Sequence, residues 1–433
     1  MSALTQDRRL AVQDQKRQAA EALLSALPLP QGEAGWAREV RARARARLLE
    51  AGAPVRRDEY WKYTDPAPLT APLRVAAAED DGAEADSPFG ALEGATARFV
   101  NGRFRKDLSD LSAGKGAAIA TLAETLAQDI SIARELFGAL ETAGQQKVAR
   151  PLAMLNTATA TEGLVIQATG REARPIHVRY DRMGEGASMV RHLIRVEKGA
   201  ELTLVESGSA TNTVVEVSIA DGATLNHVRT QTSPRAPHAT HLFARLGEDS
   251  QLKTFTLTAD GELTRNEVVV ELVGDGGSGH VAGAVLARDS SHVDNTVFVT
   301  HTGQGCESRQ VFKNVLADKA RGIFQGKIYV REGAQKTDGY QISQAVLLTD
   351  GAEFSAKPEL EIYADDVACS HGSTTGALDR TAMFYLRSRG VPQAEAEAML
   401  IAAFADEAIT EIADERLADL MREEVARWMA ARR

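Results

Sequence analysis

At 433 residues, 44% of them hydrophobic and 25% charged, the chain has ample material for one elongated repeat domain or several compact ones. Its formal net charge of −10 argues against nucleic acid or an anionic membrane as the main partner. No uninterrupted apolar run reaches the roughly 18 residues of a membrane span; two cysteines cannot build a disulfide framework, and Met1 to Arg17 lacks the apolar core of a secretory leader, so a cytoplasmic protein is expected.

In chain order, the first stretch reads as helix. Gln18 to Leu27 is rich in alanine and leucine, Pro28 and Pro30 stop it, and Gly35 to Leu49 resumes with an Ala/Arg pattern. Tyr60, Trp61 and Tyr63 form an aromatic cluster in a chain with only 5% aromatics, expected to be a small core pinning these helices to the rest. Val75 to Ser87, acidic with Ala and Gly, reads as an exposed loop. Thr121 to Ala143 suits further helix, with Leu122, Leu126, Ile130, Ile132 and Leu136 as packing positions. Residues 1–150 are expected to form a mainly helical N-terminal domain.

From Asn156 the pattern changes to short β-rich runs between Gly-, Asp- and Ser-bearing turns, such as Leu164 to Gln167, Ile176 to Tyr180 and His192 to Val196. Several runs share a signature: Gly or Asp, a small residue, then a polar–apolar pair. It occurs at Gly199-Ala200-Glu201-Leu202, Gly222-Ala223-Thr224-Leu225, Asp249-Ser250-Gln251-Leu252 and Gly351-Ala352-Glu353-Phe354. The first three recur every 23 to 27 residues, a length that suits one coil of a β-solenoid. A Greek-key sandwich also gives many short strands, and periodicity alone leaves both open. Gly274 to Gly279 satisfies G-x-G-x-x-G after a strand-like run, but the following apolar run, His280 to Leu286, is too brief for a nucleotide-binding helix, so a solenoid turn is expected. No Gly-Lys-Ser/Thr phosphate loop exists, and any ATP hydrolysis belongs to a partner.

Helix returns after Pro392. Leu400, Ala403, Phe404, Ala408 and Ile412 fall on one stripe, and Leu417, Leu420, Met421, Val425 and Trp428 on another. The helices are expected to pack on the end of the solenoid, where open strand edges need cover. The β core is placed at 151–391 and the C-terminal helical domain at 392–433.

Cys369 and His371 carry the chemistry. On a strand, residues two apart share a face, so thiol and imidazole project side by side, a pair able to bind a soft metal, carry sulfur or attack an electrophile. Two cysteines cannot hold a cluster that needs four cysteine ligands, so any metal cluster bound here would require ligands from elsewhere or be a transient, incomplete site. Cys306, after His301 at odd spacing, is expected to be a structural thiol, and His238, His241 and the pair His292 and Asp294 structural or solvent-facing.

Ser308 to Gly390 resembles the core of the SufB/SufD family, scaffold proteins of the SUF iron–sulfur assembly machine. The matching pieces, in order, are Ser308-Arg309-Gln310, Ala320 to Val330, Ala334 to Asp338, Leu347-Leu348, Lys357 to Ile362, Cys369-Ser370-His371-Gly372 and Phe384 to Gly390; a weaker match lies at Glu59 to Thr64. The Cys-Ser-His-Gly element, the length and the late cysteines resemble the SufD branch rather than SufB. The resemblance implies a mainly β fold, a right-handed parallel β-helix flanked by helical N- and C-terminal domains. It further implies a scaffold that turns over no substrate alone, and a SufB partner joined through the β-helix. A transient iron–sulfur cluster would be shared at that interface, with His371 and Cys369 as metal ligands from this side. The SufC ATPase would dock on the C-terminal helical domain. A flavin on the assembled complex and a homodimer of the isolated chain are compatible with it. The alternatives are a cytoplasmic β-helix enzyme, either carbohydrate-active or using Cys369 and His371 as a nucleophilic pair.

Overall fold

The computed structural model describes residues 3–27, 30–71, 87–112, 115–146, 148–171, 173–182, 186–232 and 236–431. All of the expected loop from Val75 except Ser87 lies outside the described residues. Helices α1 (Ala3–Ala26), α2 (Gly35–Ala51) and the short α3 (Ala67–Thr70) open the chain. Strands β1 (Ala95–Val100), β2 (Arg103–Phe104) and β3 (Ala117–Thr121) follow, then α4 (Leu122–Leu126), α5 (Ser131–Leu136), α6 (Ala139–Gly144) and α7 (Pro151–Thr159). Thr121 fixes the entry to α4 through a capping box with Glu124. Pro151 opens α7, where its missing N–H is harmless.

The solenoid strands are β4 (Leu164–Ala168), β5 (Ile176–Asp181), β6 (Met189–Val196), β7 (Glu201–Gly208), β8 (Asn212–Ile219), β9 (Thr224–Thr232), β10 (His238–Leu246) and β11 (Gln251–Ala259). They continue as β12 (Leu263–Leu272), β13 (Ser278–Ala287), β14 (His292–His301), β15 (Glu307–Leu316), β16 (Arg321–Val330), β17 (Thr337–Leu347), β18 (Glu353–Ile362) and β19 (Val367–Gly376). They alternate between two sheets, a ten-stranded one ordered β19-β17-β15-β13-β11-β9-β7-β5-β1-β2 and a nine-stranded one ordered β18-β16-β14-β12-β10-β8-β6-β4-β3. Solenoid neighbours pair in parallel; among the described strands only β1–β2 and β3–β4 pair antiparallel. The protein is mainly β, a parallel β-helix flanked by helices, as the family resemblance implies.

The turns explain the sequence repeat. Gly199, Gly222, Asp249, Gly276, Gly305 and Lys336 all adopt positive φ, from 49° to 68°. Each donates its N–H to a turn carbonyl of the next coil: Gly199 to Asp221, Gly222 to Glu248, Asp249 to Asp275, Gly276 to Gln304, Gly305 to Gln335 and Lys336 to Asp366. A left-handed backbone that must also feed a ladder favours Gly or Asp, hence the signature. The register follows: Glu201 pairs with Thr224, Thr224 with Gln251, Gln251 with Ser278, Ser278 with Glu307 and Glu307 with Asp338, so coils lengthen from 23 to 31 residues. Gly276 belongs to this column and β13 starts at Ser278, so the G-x-G-x-x-G stretch is a solenoid turn, as expected.

Inside, Leu202, Leu225 and Leu252 of one sheet face Ile219, Leu246 and Leu272 of the other in the main core. Both outer faces are covered. The N-terminal segments cover the nine-stranded sheet: α7 is wholly buried, Asn156 donates to the Val190 and Asn212 carbonyls, and Glu216 accepts the N–H groups of Gly138 and Glu141 at 2.8 Å.

The C-terminal helices are α8 (Arg380–Ser388), α9 (Gln393–Ile409) and α10 (Glu415–Ala431). Ile401, Ala408, Met421, Val425 and Trp428 pack on Val228, Phe255, Ala282, Val311 and Val315, outward-facing residues of the ten-stranded sheet. This corrects the expectation that these helices close the solenoid end. On β11 the apolar Phe255, Leu257 and Ala259 point outward while Leu252 points in, and that outer face is what the helices bury. The stripe on α9 is also rotated: Ile401 and Ala405 are buried and Ala403 is exposed. The solenoid end at β18 and β19 is left bare, with half-buried to exposed residues along both strands. At the opposite end the stack finishes on the short antiparallel strands β2 and β3.

Candidate functional site

Cys369 and His371 lie on β19, the last strand of the ten-stranded sheet. Their register partners on β17 are Gly339 and Gln341. On β17 the odd-numbered residues Gly339, Gln341 and Ser343 are buried while Tyr340 and Ile342 are half-buried, so the odd positions point into the solenoid. Cys369, His371 and Ser373 therefore stand on the inward face of a coil that has no further coil above it.

The thiol is the more sheltered of the pair. A Cβ added to Gly339 would lie 3.2 Å from Cys369 Sγ and 3.3 Å from Ile328 Cγ2, which places Sγ over Gly339 beside the opposite sheet. Cys369 packs against the group Ile328, Val330, Ala334 and Ala364. Burial, with Asp338 adding to it, pushes its pKa above the ordinary thiol value. The thiol is thus protonated at neutral pH, unlike the activated thiolate of a nucleophilic enzyme. Among the described residues no hydrogen bond joins it to His371, whose ring is exposed at the open end. Nor do any three His, Cys, Asp or Glu side chains among them come together to hold a metal ion.

The other sequence candidates lie elsewhere. Cys306 is buried in a turn, its thiol donating to the Gly274 carbonyl at 3.2 Å. His238 and His241 are both buried on β10; His241 stacks on Phe243 with centroids 6.3 Å apart and sits 3.3 Å from Glu267. His292 and Asp294 do share a face, and together they grip the Thr64 hydroxyl, at 2.9 Å and 2.5 Å. Trp61 packs with Leu69, Leu152, Ala239 and Leu263, and the Tyr60 hydroxyl reaches Glu359, so the aromatic cluster pins the N-terminal segment to the outer face.

Sequence reasoning gave no warning of the exposure of α8. Asp379 caps it by accepting from Thr381 and Ala382 N–H, yet none of its residues is buried, and Phe384 is 74% exposed. Tyr385, also on α8, and Met399 on α9 extend the apolar surface.

Residues 179–404, which span β6 to β19 and most of α9, match the family model of the SUF system FeS cluster assembly SufBD core domain. The chain belongs to the SufB/SufD family. It is similar to the iron–sulfur cluster assembly protein SufD of Escherichia coli, at 30% identity over 86% of this chain and 88% of that protein. A SufBD family protein of Synechocystis is 29% identical over 83% of this chain and 84% of its own length, and SufD of Bacillus subtilis 29% identical over 55% and 57%. Within the family the chain is SufD-like, an iron–sulfur cluster assembly component of the SUF type. The family match includes the bare coil with Cys369 and His371. Among the described residues, no helix is long and apolar enough to cross a membrane.

Proposed function

We propose that this chain is the SufD-like subunit of a cytoplasmic SufB–SufC–SufD scaffold, a protein that turns over no substrate alone and contributes ligands to a nascent iron–sulfur cluster at its interface with SufB. The observation that carries the reading is the bare last coil. β18 and β19 present unpaired backbone edges about ten residues long, a feature soluble proteins normally cover or charge. A second β-helix stacked there would pair those edges and bury His371 and Cys369 between two chains. SufB fits that place; without it a second copy of this chain uses the same edge.

The ligand chemistry supports sharing. His371 offers a borderline nitrogen donor and Cys369 a soft sulfur donor, and two groups are too few to retain iron alone. An incomplete set suits a cargo that must leave. The cluster is substrate here, not resident cofactor.

In this reading residues 1–150 mainly support the nine-stranded face, 151–391 carry the β-helix, and 392–433 form the helical unit on which SufC docks. Exposed Phe384, Tyr385 and Met399 on and beside that unit are apolar surface of the kind a partner covers. Co-expression with SufB and SufC followed by size-exclusion chromatography tests the assembly: one three-component species is expected, and a chain that elutes alone in their presence contradicts it.

A further inference from the structure

The inward column that ends at His371 contains two glutamines. Gln310 pairs with Gln341, and Gln341 with His371, on three successive strands of one sheet. The next residue down the column is Val281, so the polar run begins at Gln310 and ends at the bare coil. Both glutamines are fully buried, and neither the nitrogen nor the oxygen of either amide has a hydrogen-bond partner among the described residues. Buried amides left in that state are costly, and native folds satisfy them.

The seat of Gln341 is built for it. A Cβ placed on Gly326, across the interior, would fall 2.0 Å from Gln341 Nε2 and 2.6 Å from its Cδ. The amide occupies the room that a side chain at 326 would take. In the column, strands about 4.8 Å apart let stacked amides bond one another. By register Gln310 flanks Gln341 on one side and His371 on the other.

We infer that Gln341 is the positioning residue for His371, its amide oxygen accepting one ring N–H while its NH₂ donates to Gln310. This rests on the reading of His371 as a ligand. The contact holds one ring nitrogen protonated and turns the other, with its lone pair, outward to the open end where iron would be met. A protein ligand fixed in this way loses less order on binding than a free-turning ring.

The test uses the full chain with ¹⁵N-labelled histidine and long-range ¹H–¹⁵N correlations, the His371 ring being assigned from the signals missing in His371→Gln. Wild type should show a single His371 tautomer. Gln341→Leu should give the tautomer mixture of a free imidazole, and Gln341→Glu, which keeps an acceptor, should restore one. Gly326→Ala, which pushes the amide off its seat with its chemistry intact, should act like Gln341→Leu and covers the case in which that variant misfolds. Ferrous ion binding in the SufB complex should fall about tenfold in Gln341→Leu and Gly326→Ala. An unchanged His371 tautomer in folded Gln341→Leu or Gly326→Ala would overturn the inference. Iron binding indifferent to His371→Ala would instead remove the ligand reading, leaving the tautomer result to judge the contact itself.

Discussion

The Trp61 ring centroid lies 4.0 Å from the Arg265 guanidinium, whose N–H groups donate to Asp294 and Glu267. A tryptophan from the N-terminal segment thus lids a fully buried charge on the outer face of the nine-stranded sheet. Replacing Trp61 with Ala should remove about 3–5 kcal/mol locally, from lost packing together with access of water to a buried ion-pair cluster. Hydrogen exchange should report it as deprotection confined to residues near 59–70 and the facing strands, with the solenoid interior unaffected.

The turn column makes a paired prediction. A Cβ on Gly305 meets nothing within 4 Å, so Gly305→Val should cost about 1–2 kcal/mol through backbone strain alone. Lys336 occupies the same kind of turn at φ 59°, and Lys336→Gly should gain up to about 1 kcal/mol. Urea denaturation of the two variants checks both signs, and equal effects would contradict the assignment of strain.

These turns show why much of the fold was legible. A left-handed position that also feeds the next coil admits few residue types, and so Gly199, Gly222 and Asp249 announce the coil from sequence. Cys369 and His371 were legible as a same-face pair because strand spacing is strict. Strands β1 to β3 were missed, being short and, in Ala117–Thr121, mostly alanine. The placement of α9 and α10 was misjudged because Phe255 and Leu257 look like core wherever they point. Gln310 and Gln341 were passed over because a glutamine in a strand reads as solvent-facing, and only the register turns them inward.

Buried Lys313 ties α9 to the ten-stranded sheet. It pairs with Glu407, bonds Gln344 and has its Nζ 4.8 Å from the Phe404 ring. Glu407→Ala leaves the ammonium without its counter-charge; because the Glu407 side chain is 64% exposed, the loss should be about 1–2 kcal/mol. Lys313→Met, which removes the charge itself, should cost less. Hydrogen exchange across α9 and α10 distinguishes them, and the reverse order would contradict the pairing.

Burial holds four histidines, His177, His192, His238 and His301, neutral with pKa values lowered from 6.5 to about 4. Between those values the unfolded chain binds protons that the folded chain refuses, so stability falls as pH drops from about 6.5 to about 4 and levels off below. Each histidine contributes a slope of about 1.4 kcal/mol per pH unit within that window. Urea midpoints measured from pH 7.5 to 4.5 should give a slope of two to four protons; a flat profile would contradict neutral burial.

The most direct measurement is anaerobic iron and sulfide reconstitution of the co-purified complex, read by visible absorption, with and without His371→Ala. Wild-type complex should gain a cluster band, and the variant should assemble the same complex but lose the band. Normal loading of the His371→Ala complex would contradict a ligand role for the bare coil.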